Sequence, residues 1–354
     1  MKRTSIALAL AGMAGCAAAQ SSVTLYGVAD AMFSRGTGSL TSSSSMGSGG
    51  NMTSRWGIRG VEDLGGGLNA GFNFEAQVFM NTGAGQPTNT NNQPSGAGTG
   101  DGMTFARRST LSLSNSWGEI RAGRDFTAHY RNRVEVDPFG NAGVGASQAF
   151  AGSIGGVVST RASNMIGYFL PAGLNGWYGQ AQYYAGENPG GTPTANDGTG
   201  ITARIGYQNG PLNLSFASGR TQYATTTTAG DIESTNLGIQ YQIGSVNLMG
   251  GVYRDTAHRT KALKADGWIL AGVWTVGVGN IKLALSEYGT NATGNPNVRK
   301  FAAGYVHNLS KRTAVYGTFA RVSNSGGATT ALNKATTAAN MSSSGFDIGV
   351  RHQF

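Results

Sequence analysis

Several common features of soluble and fibrous proteins are scarce or missing in this 354-residue sequence. Charged residues make up only 12%, about half the ~25% of an ordinary globular domain. Mean hydropathy is −0.20, which is too polar for a bundle of membrane-spanning helices. Glycine follows no three-residue period and no heptad is sustained, so a collagen and a coiled coil are both excluded.

The N-terminus has the features of a secretory signal. Lys2 and Arg3 form a positive region, residues 6–14 are apolar, and three alanines at 17–19 precede Gln20. We therefore predict a signal peptide over residues 1–19, cleaved near Ala19/Gln20, and a single mature domain over 20–354.

The only cysteine, Cys16, lies within this predicted signal. The mature chain would then have no thiol, disulfide or cysteine metal site. In an alternative interpretation residues 13–16 form a lipoprotein box and Cys16 carries the lipid. Met13 is a poor first residue for such a box, and strand-like sequence begins directly after Gln20.

The chain as a whole contains more positive than negative residues. Lys and Arg number 26 against 17 Asp and Glu, and loss of Lys2 and Arg3 leaves 24 − 17 = +7. A basic sequence can indicate nucleic-acid binding. This one has no basic run longer than two, no zinc-finger spacing and no basic helix, so no nucleic-acid partner is predicted.

What the chain does contain is alternation of apolar and polar residues with a period of two. Near the C-terminus Phe346, Ile348 and Val350 alternate with polar residues or glycine, and residues 68–78, 236–243 and 281–286 repeat the pattern. Sixteen such segments of nine to twelve residues follow Val23, the length of a tilted strand that crosses a bilayer. Seven short turns and eight long polar loops connect them. The long loops include 34–52, 81–102, 127–160, 187–199 and 323–344.

These segments point to a closed barrel in a membrane. A soluble sandwich also alternates, but it buries all of its apolar faces in one interior and rarely needs sixteen strands of this length. In lipid every backbone polar group must be paired within the protein, so strands cross only as a closed barrel. Aromatic residues near strand ends would form the interfacial girdles, and the candidates are Tyr26, Trp56, Tyr168, Phe169, Trp177, Trp268, Trp274 and Phe354.

At this point the sequence resembles the Gram-negative general porins, especially those of beta-proteobacteria. The segments SVTLYGVAD (22–30), SRWGIRGVEDLGGGL (54–68) and WGEIRAGR (117–124) are similar to that family's first three strands and its turn into strand five. The terminal Phe354 is similar to the aromatic residue that the outer-membrane insertion machinery reads. The resemblance implies an all-β fold, a 16-stranded antiparallel transmembrane β-barrel with an inward-folded third long loop, assembled as a homotrimer in the outer membrane. It also implies passive diffusion of ions and small hydrophilic solutes beside outer-membrane lipid and lipopolysaccharide.

The same resemblance suggests where the pore is narrowest. The third long loop, residues 127–160, is the longest connection, and loops of this length are usually functional or disordered. In the family this loop carries acids that face wall arginines, so Glu135 and Asp137 are the candidates. The stretch departs from the family's usual Pro-Glu-Phe-Gly-Gly, because Asp137 is followed by Pro-Phe-Gly-Asn.

The wall of the constriction is carried over by position in the family. Arg55, Arg107 and Arg161 match the family's wall arginines, and Arg59 shares the strand face of Arg55. Arg107 and Arg108 are neighbours in a predicted strand and would point in opposite directions, so only one of them is expected to face the lumen. Family position favours Arg107, whereas the phase of the following leucines favours Arg108. These arginines either select anions or merely line a solvated wall and hold the loop acids.

We predict a general diffusion porin with a mild preference for anions, no enzymatic activity and no metal or other cofactor. An outer-membrane hydrolase would need a histidine beside an acid or serine near the outer rim. None of His129, His258, His307 and His352 shows such a motif, so solvated surface histidines are expected. A role as adhesin or receptor through the polar loops remains an alternative.

Overall fold

The computed structural model describes residues 22–98, 104–148 and 154–354. The predicted signal peptide and Cys16 lie outside these residues. None of the helices in the three described stretches has the length and hydrophobicity needed to cross a lipid bilayer.

Strands account for most of the described chain, and a short helix lies between two of them. The helix is α1 (Ala128–Glu135), and a single 3₁₀ turn spans Pro94–Gly96. The strands are β1 (Ser22–Thr37), β2 (Ser42–Ser48), β3 (Arg55–Gly65), β4 (Leu68–Gln77), β5 (Arg108–Asn115), β6 (Gly118–Phe126), β7 (Arg161–Phe169), β8 (Trp177–Tyr184), β9 (Gly200–Asn209), β10 (Leu212–Thr221), β11 (Asp231–Ile243), β12 (Val246–His258), β13 (Leu263–Val276), β14 (Gly279–Thr290), β15 (Asn297–Asn308), β16 (Thr313–Ser325) and β17 (Ser343–Gln353).

The strands close into a barrel. From β3 to β17 each strand pairs antiparallel with the next, and β1 pairs with both β3 and β17. Sixteen strands therefore form the ring, which confirms the predicted strand number. Closure removes the free sheet edges, as a barrel in lipid requires.

One further strand, β2, is not part of this ring of sixteen. Its presence shows that the predicted first loop was wrong. Residues 34–52 were expected to be a polar loop, but β1 continues to Thr37 and the serine run belongs to β2, which pairs with β1. Serine hydroxyl groups favour this hairpin through contacts such as Ser34 Oγ with Ser45 Oγ at 3.2 Å. The loop thus extends the sheet beyond the barrel ring.

The two faces of each strand have opposite character. In β11 the side chains of Leu237, Ile239, Tyr241 and Ile243 are 44% to 55% exposed, whereas inward-facing Ser234 and Asn236 are buried. Outward apolar residues and inward polar residues are the arrangement of a barrel in lipid. The predicted alternation is confirmed.

Two of the aromatic residues predicted for the girdles face the interior instead. Tyr26 donates a hydrogen bond to Asn73 Oδ1 at 3.2 Å, and the guanidinium of Arg121 lies 4.0 Å from the Phe169 ring. The neighbouring Leu25 and Tyr168 take the outward positions. Aromatic character alone did not reveal the strand phase at these two sites.

The described residues of the third long loop, 127–148 and 154–160, lie inside the barrel as predicted. Its first part, α1, packs against the inner face of β8 to β11. Beyond α1 the loop crosses the interior, because Val144 N donates to Asp347 on β17 at 2.6 Å and Gln148 N donates to Ser286 on β14 at 3.1 Å. The loop therefore covers the inner wall from β8 to β17 and leaves the β3 to β7 wall open.

Apolar contacts explain why the second part of this loop stays inside. Val136, Phe139 and Val144 are buried and pack in one cluster with inward-facing Ile269 and Ala302 of the wall. Apolar side chains thus stand beside the polar side chains of Ser286 and Asp347 on the wall beneath the loop. Burial of these side chains favours the inward conformation over one exposed to water.

Candidate pore constriction

A cavity of about 640 Å³ separates the third long loop from the opposite wall. Wall strands and loop each contribute charged side chains to its lining. These are Arg55, Glu75, Arg107, Arg161 and Lys282 from the wall side, and Arg131, Glu135 and Asp137 from the loop.

Arg55 and Arg107 share one carboxylate on the wall. Arg107 Nε lies 2.6 Å from Glu75 Oε1, and Arg55 Nε lies 3.4 Å from Glu75 Oε2. Two cations against one anion leave this part of the wall with one surplus positive charge. The predicted wall residues Arg55 and Arg107 are thus brought together.

Arg161 joins this pair through the backbone and through an aromatic ring. Its Nε donates to Arg107 O at 2.8 Å, and its guanidinium lies 4.2 Å from the centre of the Phe126 ring. The Phe126 ring stacks on Tyr130 with centroids 4.9 Å apart. Among the described residues no carboxylate lies within 4 Å of the Arg161 guanidinium. The aromatic stack therefore holds this cation without neutralising it.

The two predicted loop acids differ in how far their carboxylates are exposed beside the cavity. Glu135 ends α1, forms an ion pair with Arg204 and keeps 36% of its side chain exposed. Asp137 is buried, and its carboxylate accepts hydrogen bonds from Phe139 N and Ser147 N, each at 2.8 Å. Burial raises the pKa of Asp137, and the hydrogen bonds from the two amide donors act in the opposite direction. Asp137 thus shapes the loop, while Glu135 presents charge beside the cavity.

Arg59 and Arg108 are not in the cavity lining. Arg59 lies over the Tyr26 ring at 5.2 Å, and Arg108 Nε lies 3.5 Å from Asp125 Oδ2. Arg121 and Arg131 also pair with Asp125, at 2.6 and 3.7 Å.

The structure also shows that Arg107 and Arg108 both have partners inside the barrel. The expectation that only one of them could face the lumen was wrong, because β5 begins at Arg108 and the strand alternation does not extend back to Arg107. Arg107 reaches Glu75, and Arg108 reaches the buried carboxylate of Asp125.

Sequence reasoning missed Arg131 and Lys282 as lining residues. Lys282 lies between outward-facing neighbours of β14, so its alternation phase could have placed it in the lumen. Arg131 lies on α1, for which the sequence offers no apolar helical periodicity. Only the docking of α1 on the wall brings it to the cavity.

The histidines correct one further expectation. His129 is buried, and its Nδ1 lies 3.1 Å from Thr202 Oγ1, so it is not a solvated surface residue. His258 lies 3.1 Å from Glu233 on the outside of the barrel. Within the described residues no group of three or more His, Cys, Asp or Glu side chains is arranged to hold a metal ion.

The C-terminal residue closes the last seam of the barrel. Phe354 N donates to Gly27 O at 3.1 Å, and Gly27 N donates to Phe354 O at 3.0 Å. The Phe354 ring lies over Gly27 and is 47% exposed on the outside. An aromatic C-terminus is thus tied to the first strand.

A closed sixteen-stranded barrel with an apolar outer face and a charged interior narrowed by a loop defines a channel protein of the outer membrane. The chain belongs to the Gram-negative porin family, whose pattern matches residues 4–327. Members of this family are channels rather than enzymes, and the chain is an outer-membrane porin for passive diffusion of ions and small hydrophilic solutes.

Individual relatives agree with this assignment. The chain is 34% identical to outer membrane porin protein 32 of Delftia acidovorans, with 100% of both chains aligned. It is 30% identical to an outer membrane porin protein of Bordetella pertussis over 76% of this chain and 71% of the relative. The solved anion-selective porin from Comamonas acidovorans superposes with a TM-score of 0.84 at 31% identity, covering 95% of this chain and 100% of that porin. The trimer form of OmpT from Vibrio cholerae, at 15% identity and a TM-score of 0.65, covers 94% of this chain and 99% of its own and supports the fold alone.

Proposed function

We propose that this porin prefers anions and that its constriction is formed by wall arginines Arg55, Arg107 and Arg161 opposite the loop acids Glu135 and Asp137. The observation that carries the proposal is the charge balance of the cavity lining, where five Lys and Arg side chains stand against three carboxylates. Arg59 and Arg108 lie outside that lining and are assigned to the approach, not to the narrowest point.

The surplus positive charge of the cavity lining lies at Arg161 and Lys282. Glu75 is shared by Arg55 and Arg107, and Arg131 lies near Asp125. Arg161 and Lys282 have no carboxylate within 4 Å among the described side chains. A permeating anion can exchange part of its hydration for these cations, whereas a cation meets repulsion there.

Opposed charges also give the constriction a transverse field. Guanidinium groups lie on the β3 to β7 wall, and the exposed carboxylate of Glu135 lies on the loop side. A polar solute can align its dipole in this field, but an apolar solute would lose water without compensation. The field therefore favours small hydrophilic solutes.

Known relatives support the proposal by likeness. The Comamonas acidovorans porin, at 31% identity, is described as anion-selective. The OmpT structure from Vibrio cholerae was solved in a trimer form, and we propose a homotrimer for this chain as well. Chemical crosslinking of the purified protein in detergent tests this assembly, and a monomer alone would contradict it.

We propose that cleavage near Ala19/Gln20 releases the mature chain and that Phe354 is the signal read at insertion. Lipid and lipopolysaccharide would contact the exposed apolar belt. N-terminal sequencing of protein from the outer membrane tests the cleavage, and a Phe354→Ala variant that inserts normally would contradict the role of Phe354.

Reversal potentials in a planar bilayer test the anion preference directly. In a salt gradient we expect the sign of an anion-preferring channel, and we expect a triple substitution of Arg55, Arg107 and Arg161 by Gln to reduce or reverse it. Cation preference in the unsubstituted protein would refute the charge argument. An unchanged reversal potential in the triple variant would refute the site assignment.

A further inference from the structure

Phe126 is the last residue of β6 and comes directly before the third long loop. Its ring lines the cavity at the proposed constriction and stacks on Tyr130 of α1, with the centroids 4.9 Å and the planes 17° apart. Two backbone contacts fix its position, because Arg161 is its partner across the β6–β7 ladder and its carbonyl oxygen accepts a hydrogen bond from Gln182 Nε2 at 2.9 Å. The ring therefore has a defined place at the base of the loop.

Three guanidinium groups gather around this one ring. The Cζ atom of Arg161 lies 4.2 Å from the ring centre, that of Arg131 lies 5.8 Å away and that of Arg107 lies 6.0 Å away. The three side chains come from β7, from α1 and from the residue before β5. All three line the cavity at the proposed constriction.

Carboxylates alone do not explain why these cations come so close together. Glu75 pairs with Arg107 but is shared with a second arginine, and Asp125, which lies 3.7 Å from Arg131, is shared with two more. Arg161 has no carboxylate within 4 Å among the described side chains. Like charges at this distance repel each other. The negative face of an aromatic ring attracts a cation without carrying a net charge, so the ring offsets repulsion and leaves the positive charge available to an anion.

We propose that Phe126 is a positioning residue that sets the size of the anion preference by holding the three guanidinium groups together at the constriction. Gathered at one ring, the three charges produce a higher local positive potential than they would if they spread apart. Without the attraction of the ring, Arg161 should turn toward the carboxylate of Glu75, and a passing anion would then meet less positive charge. This inference rests on the proposed anion preference and names a residue that determines its magnitude.

A ring that only filled volume at the base of the loop would behave differently, and two kinds of change separate the two roles. Phe126→Leu removes the ring and keeps an apolar side chain. Phenylalanines with one, two or three fluorine atoms, incorporated at position 126, keep the shape of the ring and progressively weaken the negative potential of its face. Phe126→Tyr is the conservative variant, because a tyrosine ring also attracts cations.

Phe169 provides the matched control. The Arg121 guanidinium lies 4.0 Å from the centre of the Phe169 ring, close to the shortest distance found at Phe126. Arg121 also donates to the two carboxylate oxygens of Glu119 at 2.9 and 2.8 Å and to Asp125 at 2.6 Å. It is not part of the cavity lining. These ion pairs should hold Arg121 in place when the ring is changed.

Reversal potentials of the full chain in planar bilayers, measured at low salt, give the anion-to-cation permeability ratio of each variant. We expect Phe126→Leu to lower this ratio by about twofold to fivefold. Each added fluorine at position 126 should lower it by a further step, and Phe126→Tyr should keep it. Phe169→Leu and the same fluorine series at position 169 should leave the ratio unchanged.

A ratio that does not change along the fluorine series at position 126 would overturn the proposal, even with a loss in Phe126→Leu, because the ring would then act through its volume alone. Equal losses at positions 126 and 169 would overturn it as well. In an Arg161→Gln background Phe126→Leu should have a smaller effect, and an undiminished effect would contradict action through that arginine. The unsubstituted channel tests the anion preference itself, so either proposal can fail without the other.

Discussion

At the scale of single residues, neighbouring side chains with the same charge have different roles. Arg107 lines the cavity at the proposed constriction and shares Glu75 with Arg55, while Arg108 belongs to the group around Asp125. The side chains are consecutive, so the difference arises from where the regular strand begins. We therefore expect a residue's effect on permeation to depend on its distance from the proposed constriction and not on its charge alone.

Substituting each of these two arginines separately tests the distinction. Arg107→Gln removes a cation and leaves Glu75 with only the more distant Arg55, so we expect the anion-to-cation permeability ratio to fall about fivefold at low salt, from ~1 kcal/mol per unit charge at ~4 Å in water. Arg108→Gln should change the ratio much less. Reversal potentials measure both, and a larger effect from Arg108→Gln would contradict the assignment.

Gly27 lies at the seam where the first strand meets the C-terminal residue. A Cβ there would lie 2.7 Å from Arg55 O and would also meet the Phe354 ring. We expect Gly27→Val to destabilise the barrel by about 1–3 kcal/mol, as overpacking usually does.

Urea unfolding in detergent, followed by tryptophan fluorescence, measures this loss. Gly317→Val is the control, because no heavy atom lies within 4 Å of the Cβ position at Gly317. The control should stay within about 0.5 kcal/mol. Similar losses in the two variants would show that the contact at the β1–β17 seam is unimportant.

At the scale of elements, α1 is held by polar contacts rather than by an apolar face. Asn132 Nδ2 donates to Asn236 Oδ1 at 2.7 Å, and Arg133 pairs with Asp255 at 2.8 Å. His129 completes the contact through Thr202. A helix docked on a polar wall needs matched donors and acceptors, because an unsatisfied buried group is costly.

The docking of α1 should depend on pH through His129. Burial, and next the charge of Arg133, lower the pKa of His129 to about 4 from 6.5. The unfolded chain takes up the proton first, so the stabilisation is complete above pH 6.5 and is lost as pH falls from 6.5 through 4. The loss is roughly 3 kcal/mol at most, from ~1.4 kcal/mol per pKa unit.

The measurement is the free energy of unfolding of the protein and of His129→Gln between pH 4 and 7. Glutamine keeps an amide near Thr202 but does not titrate in this range. The advantage of the histidine protein should shrink as the pH falls. A constant difference across the range would show that His129 does not respond to pH in this way.

At the scale of the whole molecule, the barrel wall separates lipid on the outside from water on the inside. The outward belt is apolar, and the polar interior is divided by the third long loop into a covered wall and an open basic wall. Because the surplus charge lines a water-filled path, mobile ions screen it. Selectivity is therefore a property of the channel together with its salt solution.

The anion preference should weaken as the salt concentration rises. The Debye length falls from about 10 Å at 0.1 M to about 3 Å at 1 M, so charges such as Arg161 and Lys282 act over a shorter range. Reversal potentials at a fixed concentration ratio, measured from low to high salt, check this expectation. A preference independent of salt would indicate selection by size or binding geometry instead.

The sequence by itself determined the barrel. The period of two in segments such as 236–243 assigns one face to lipid and one to water, and sixteen such segments with alternating short and long connections leave little choice but closure. These are local properties, because a strand's side-chain alternation depends only on neighbouring residues. The position of Arg55 on an inward face could be read in the same way.

Only the tertiary structure decided the constriction. The strand begins after Arg107, α1 docks through partners about a hundred residues away, and the loop tip reaches Asp347. Lys282 and Arg131 line the same cavity only because the loop crosses the barrel. These placements depend on contacts between distant segments, and such contacts are fixed by the packing of the loop on the wall and not by the pattern of any one strand.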